Sequence, residues 1–204
     1  MSHQHDHDHD HQHDHNHDHD HEYEHEHEHV HMEPDEYAAA FRAAKDEFMH
    51  ESPDSPLSEE QRATFEGLAY YPYNPDLALT VELDRNVPEG TVTMDTSTGS
   101  NREYPRAGKV HFEVDGQPAE VTIYGDADDL FLPLRDSTSG KETYGAGRYL
   151  EPEMIDDDTV LVDFNFLYNP YCAYNERYSC PLPPVENWLR VPIRAGEQNF
   201  GYAE

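Results

Sequence analysis

The chain has 204 residues and a formal net charge of −31, from 44 acidic and 13 basic side chains. No stretch approaches the ~18 consecutive apolar residues that cross a bilayer, and the N-terminus lacks the basic and apolar regions of a secretory signal. A cytoplasmic protein with no membrane partner is therefore expected. No basic patch exists to release counterions from phosphates, which argues against a nucleic-acid partner.

The acid excess is spread along the whole chain. Residues 1–36 hold thirteen acids and no base, leaving 31 acids against 13 bases, a net of −18, in the remainder. Lys45, Lys109 and Lys141 are the lysines, and the other ten bases are arginines. Such repulsion destabilises a compact state at low ionic strength. At molar salt, where the Debye length falls to ~3 Å, it becomes tolerable. Acid excess with few lysines is the pattern of halophilic proteins; the other reading is an acidic domain with a basic protein partner. Two cysteines, Cys172 and Cys180, are expected as thiols in a reducing cytosol.

Residues 1–33 form a biased N-terminal tail in which histidine alternates with Asp, Glu, Gln or Asn. Its histidines are His3, His5, His7, His9, His11, His13, His15, His17, His19, His21, His25, His27, His29 and His31. Nothing apolar repeats there, so the tail is expected to be disordered. In extended chain, alternate imidazoles share a face ~7 Å apart, twice the ~3.4 Å rise per residue. Side chains at that spacing can converge on Zn, Ni, Cu or Co, with the intervening carboxylates as further ligands or acceptors.

Residues 34–204 are expected to be a single β-rich domain. Pro34, followed by Asp35 and Glu36, opens a helix. Tyr37, Phe41, Ala44 and Phe48 lie on one of its faces, which is expected to be the buried one. Ser58 and Gln61 make a capping box for a second, short helix through Phe65, and AYYPYNPD reads as a turn. From Leu77 the period changes to two: Leu77, Leu79, Val81 and Leu83 mark a half-buried strand, and residues 92–94 a second. KVHFEV and QPAEVTIYG flank Asp115-Gly116, a type I′ hairpin pair. DLFLPL, ETYGAGRYL and TVLVDFNF supply further strands. The expected fold is mainly β, an antiparallel barrel or sandwich with one or two N-terminal helices.

The segment from Phe131 to Glu197 is dense in polar and special residues. It contains RDSTSGKETYGAGRYL, then DFNFLYNPYCAY, then CPLPPVENWL and a late AGE. These elements resemble the family catalogued as domain of unknown function 1684, whose pattern runs RD-x-TSG-x-x-TYG-x-GR, DFN-x-x-YNP-x-CA, CPLPP-x-x-N-x-L and GE. The resemblance runs from about Phe41 onward and excludes the tail. Tyr171 stands where the family more usually has proline. The resemblance implies no activity.

As chemistry, the segment offers Arg135 and Arg148 as forks for a carboxylate or phosphate. Asp163 is a candidate general base, sharing a strand face with Asn165, and Tyr168 is a donor to a polar ligand. Tyr144 and Asn169 are further candidate ligand contacts. Cys172 is a nucleophile if an adjacent cation lowers its pKa. The leading expectation is a β-rich module binding a small anionic or polar ligand, with a metal-binding tail. One alternative is a hydrolase or lyase using Asp163 or Cys172 with the two arginines as clamps. The other is a metal storage or metallochaperone protein whose function lies in the tail.

Overall fold

A computed structural model describes residues 32–126 and 129–201. The tail histidines, and the metal binding expected of them, lie outside the described residues. Helix α1 (Pro34–Glu51) is followed by the short helix α2 (Glu59–Ala63) and then by eight strands. These are β1 (Ala78–Glu82), β2 (Thr91–Asp95), β3 (Asn101–Val114), β4 (Gln117–Asp126), β5 (Asp129–Leu134), β6 (Arg148–Leu150), β7 (Glu153–Met154) and β8 (Thr159–Asp163).

The fold is mainly β, as expected, and all strand pairing is antiparallel. One sheet has the order β2-β3-β4-β5-β6 and the other β1-β8-β7. The sheets share one core, in which Val110, Val121, Ile123, Leu132, Leu134, Val160, Val162 and Phe164 have no solvent exposure. Each such side chain is worth ~1.5–3 kcal/mol of transfer free energy. Among the described residues, no helix is long and apolar enough to cross a membrane.

The β3–β4 hairpin turns at Asp115 and Gly116, both with positive φ (51° and 72°), as a type I′ turn requires. Several elements depart from the sequence reading: β7 falls in no expected strand, and α2 stops at Ala63, short of Phe65. β3 begins at Asn101, well before Lys109, and its first half is mostly solvent-facing, so it carries no apolar alternation. ETYGAG is turn, and only Arg148–Leu150 is strand. β8 ends at Asp163, whose side chain caps a 3₁₀ turn over Phe164–Phe166; Asn165 is therefore not on a strand.

Helix α1 docks on a face about 100° round from the expected one, a rotation of one residue. Its buried residues are Ala38 and Met49, with Arg42, Lys45 and Asp46 half-buried on the same side. Tyr37, Phe41 and Phe48 remain exposed at 57%, 39% and 36%. The docking surface is polar. Arg42 donates to the carbonyls of Tyr71 (3.1 Å) and Asn165 (3.4 Å), and Asp46 accepts from the backbone N–H of Leu68 at 2.9 Å. Lys45 pairs with Glu197.

Candidate functional site

The polar motifs of the C-terminal half divide into a buried frame and a surface cavity. At the centre of the frame is Arg148, 1% exposed on β6. Its two Nη atoms donate to the carbonyls of Ala195 (2.5 Å), Glu197 (2.9 Å) and Ile193 (2.7 Å) and to Asp136 Oδ2 (3.0 Å). Asp136 Oδ1 accepts in turn from Thr138 N (2.8 Å) and Thr138 Oγ1 (2.6 Å), and Thr138 shares a hydrogen bond with Thr143. Burial pulls the Arg148 guanidinium below its ordinary value, and Asp136 opposes that pull. A desolvated charge of this kind is tolerated only because its partners are in place. Arg148 thus clamps the segment 193–197 to the sheet, and its four Nη donors are spent inside the protein.

Glu197 is the second node, also 1% exposed. Its carboxylate accepts from Lys45 on α1, from Tyr70 (3.4 Å), from the backbone N–H of Asn169 (2.7 Å) and from Tyr174 (2.6 Å). Burial first, and then Glu197, hold the phenols of Tyr70 and Tyr174 above their ordinary values. Both therefore act as neutral donors. The preceding Gly196 has φ +73°, and a Cβ there would stand 2.5 Å from the Leu167 carbonyl oxygen. Only glycine lets the chain pass that close.

Three asparagines do the work of missing strand partners. Asn165 accepts from Asn74 N–H and donates to Asn74 C=O, both at 2.8 Å, pinning the YNPD turn to the end of β8. Asn187 accepts from Thr122 N–H and donates to the carbonyls of Thr122 and Pro133, all at 2.8 Å. It thereby spans the β4–β5 ladder where Pro133 has no N–H to give. Asn169 Nδ2 donates to the Gln198 carbonyl at 2.8 Å.

Arg135 directly precedes Asp136, but its own guanidinium is stacked at 4.6 Å over the half-exposed ring of Trp188. Cys172 is buried among aromatic side chains. Tyr144 donates to its sulfur at 3.7 Å, and its backbone N–H donates to Cys180 Sγ at 3.3 Å. The Cys172 thiol is lowered chiefly by the neighbouring Cys180 thiol, against burial and with help from Tyr144. The adjacent cation that the sequence reading required is replaced by neutral donors.

Of the eight candidate ligand residues, Asp163 and Tyr168 line a common cavity. It has a volume of about 590 Å³ and lies where α1 meets the edges of both sheets. One wall is aromatic: Tyr37 and Phe41 of α1 contact Phe166 at 5.7 and 5.1 Å between ring centroids, and Tyr168 completes the set. Leu130, Leu150, Pro152 and Leu161 supply aliphatic surface. Asp129, Glu151, Glu153 and Asp163 bring four carboxylates, and no lining residue is basic. Asp163 Oδ1 accepts from Asn165 N–H (2.9 Å) and Nδ2 (2.8 Å), which fixes its carboxylate. Burial, then the Glu151 carboxylate to which it donates at 2.8 Å, keep the Tyr168 phenol above its ordinary value. Arg135, Tyr144, Arg148, Asn165, Asn169 and Cys172 are not in the lining. The sequence reading missed Tyr37, Phe41 and Phe166 as wall residues; the available signal was an aromatic stripe on a helix whose adjacent face is charged.

Among the described residues, no group of three or more His, Cys, Asp or Glu side chains is placed to hold a metal ion. The sequence profile of the family described as "Protein of unknown function (DUF1684)" matches residues 63–198, about two-thirds of the chain. The chain belongs to this family. Helix α1, with Tyr37 and Phe41, lies N-terminal to the DUF1684 match. The chain is also similar to the solution NMR structure of an uncharacterized protein of Haloarcula marismortui. Identity is 34%, the TM-score is 0.62, and the match covers 79% of this chain and 92% of that one. No curated protein matches the chain.

Proposed function

We propose that this DUF1684 protein is a small-molecule binding module and that its ligand is an organic ammonium cation seated in the cavity between α1 and the sheet edges. The carrying observation is the lining: four carboxylates and four aromatic rings, with no base, around about 590 Å³. Aromatic faces attract a poorly hydrated cation by ~0.5–2 kcal/mol each, depending on desolvation. The carboxylates favour the same sign of charge and repel an anion. Lys45 already sits 4.9 Å over the Tyr168 ring, so Tyr37, Phe41 and Phe166 are the rings left to a ligand. The polar-ligand half of the sequence expectation is kept and the anionic half is replaced, because Arg135 and Arg148 belong to other surroundings. The absence of Arg135, Arg148 and Cys172 from the cavity that Asp163 lines weakens the hydrolase or lyase reading.

The test is a titration of the full chain with tetramethylammonium chloride at constant total chloride, followed by chemical shifts of the cavity residues. Saturable shifts at Tyr37, Phe41 and Phe166, absent with the neutral isostere tert-butanol, support the reading. Shifts produced by acetate or phosphate instead, or none with tetramethylammonium, overturn it.

We propose separately that the tail binds divalent transition metal. The support is its fourteen alternating histidines interleaved with carboxylates.

A further inference from the structure

A second chemical locus lies away from the cavity. Cys172 follows the YNP turn, and Cys180 lies on the segment fixed beside the loop after β2. There Cys180 N–H donates to Ser97 Oγ at 3.1 Å, and Ser97 N–H donates to the Cys180 carbonyl at 2.9 Å. The two are free thiols, each 7% exposed, in a small cluster with Tyr149, Tyr144 and Tyr178. They touch: the Cys172 backbone N–H donates to Cys180 Sγ at 3.3 Å. Tyr144 OH donates to Cys172 Sγ at 3.7 Å. Nothing in the proposed ligand site uses either sulfur.

We propose that Cys172 and Cys180 are a reversible dithiol that a small hydroperoxide oxidises to a disulfide, with Cys172 as the attacking sulfur and Cys180 as the resolving one. The asymmetry of the contacts sets the roles. The neighbouring Cys180 thiol first, and the Tyr144 hydroxyl that donates to Cys172 Sγ at 3.7 Å, favour the Cys172 thiolate, while the Cys172 sulfur first and then burial hold Cys180 protonated. In the first step the Cys172 thiolate attacks the outer oxygen of the hydroperoxide. An S–O bond forms, the O–O bond breaks, and the alkoxide (or hydroxide) leaves with the proton that Cys172 lost on ionisation. The sulfur is oxidised by two electrons and the peroxide reduced by two. In the second step Cys180 attacks the sulfenic sulfur, an S–S bond forms, and hydroxide departs with the Cys180 proton as water. The sum is two thiols and one hydroperoxide giving a disulfide, an alcohol or water, and a water. Reversal requires an external thiol, by exchange.

The experiment is peroxide oxidation of the full chain, stripped of metal with EDTA so that copper on the tail cannot act as oxidant. The product is followed by alkylation and intact mass. The wild-type chain is expected to lose two hydrogens and both alkylation sites, at a rate well above that of a simple free thiol, and to recover both on adding dithiothreitol. Cys180→Ser should stop at a sulfenic acid that dimedone traps on residue 172, whereas Cys172→Ser should react no faster than the free-thiol control. Retained thermal unfolding of each variant shows that the comparison is between folded proteins. A wild-type rate equal to the control, or oxidation to sulfinic acid without a disulfide, overturns the proposal on the unmodified protein alone. Identical behaviour of the two serine variants overturns the assignment of roles.

Discussion

At the scale of single residues, the charges that matter most are those withdrawn from solvent or held in a geometry that solvent cannot reproduce. Glu142 illustrates the second case. It accepts from Arg194 Nε and Nη2 at 2.9 and 2.8 Å and from Tyr71 OH at 2.9 Å. The Arg194 hydrogen bonds first, and then that of Tyr71, lower its carboxyl to about 2 from an ordinary 4.5. A depressed folded-state pKa contributes stability that is present above the ordinary value and lost as pH falls through the depressed one. The wild type should therefore lose stability between pH 4.5 and about 2 more steeply than Glu142→Gln. Denaturant midpoints measured across that range at constant salt check it, and parallel curves would show that the pair contributes nothing. Much of this level was readable in outline only. The RD, TYG, GR, DFN and GE elements stand out in the sequence as unusual, but unusual residues serve a frame as readily as a site. Asp136 takes Arg148, Thr138 meets Thr143, and Asn165 and Asn187 replace missing ladder partners. Apart from the local Thr138–Thr143 turn, these partnerships join positions whose proximity is a product of the fold, so spacing along the chain carries no sign of them.

At the scale of elements, helix α1 departs most from simple pattern reading. Tyr37, Phe41, Ala44 and Phe48 are spaced as a buried stripe, but Ala38, Arg42, Lys45 and Met49 keep the same spacing one residue on, about 100° round the helix. Hydrophobicity alone selects the first. The surface that receives the helix selects the second, because it presents two backbone carbonyls and the Glu197 carboxylate. Lys45→Met should accordingly destabilise the fold by about 3 kcal/mol, since it leaves Glu197 buried without its cation. Phe41→Ala should cost less than about 1 kcal/mol, as expected for a surface position. Equilibrium unfolding in urea distinguishes the two. A larger loss for Phe41→Ala would mean that the aromatic face, and not the charged one, carries the docking. β8 and the second half of β3 were legible because each buries one face and alternates accordingly, and β4 and β5 because their continuous apolar runs are flanked by turn residues. The first half of β3 was not, because a strand with two solvated faces has no reason to alternate.

At the scale of the whole molecule, a net charge of −31 must be held together with few counter-charges of its own. Raising KCl from tenth-molar to molar should raise the unfolding temperature, because screening shortens the reach of repulsion from ~10 Å to ~3 Å. The tail should act independently of the body. Deleting residues 2–32 is expected to remove bound Zn, Ni, Cu or Co while leaving the unfolding temperature at a given salt unchanged, as read by metal analysis and calorimetry on one preparation. Metal retained by the truncated chain would place a site in the body.

The division of labour between a structural frame and a functional cavity is tested most directly by measuring tetramethylammonium affinity and unfolding free energy on the same two variants. Arg148→Met should lose ~3–5 kcal/mol of stability, the cost of orphaning a buried ion pair. It should keep its affinity within about twofold where it remains folded, a shift of ~0.4 kcal/mol or less. Asp163→Asn should lose about threefold or more in affinity, which is ~0.7 kcal/mol, with a stability change below about 1 kcal/mol. The contradicting result is the reverse pattern, with binding abolished in folded Arg148→Met and unchanged in Asp163→Asn. That outcome would return the ligand site to the arginine.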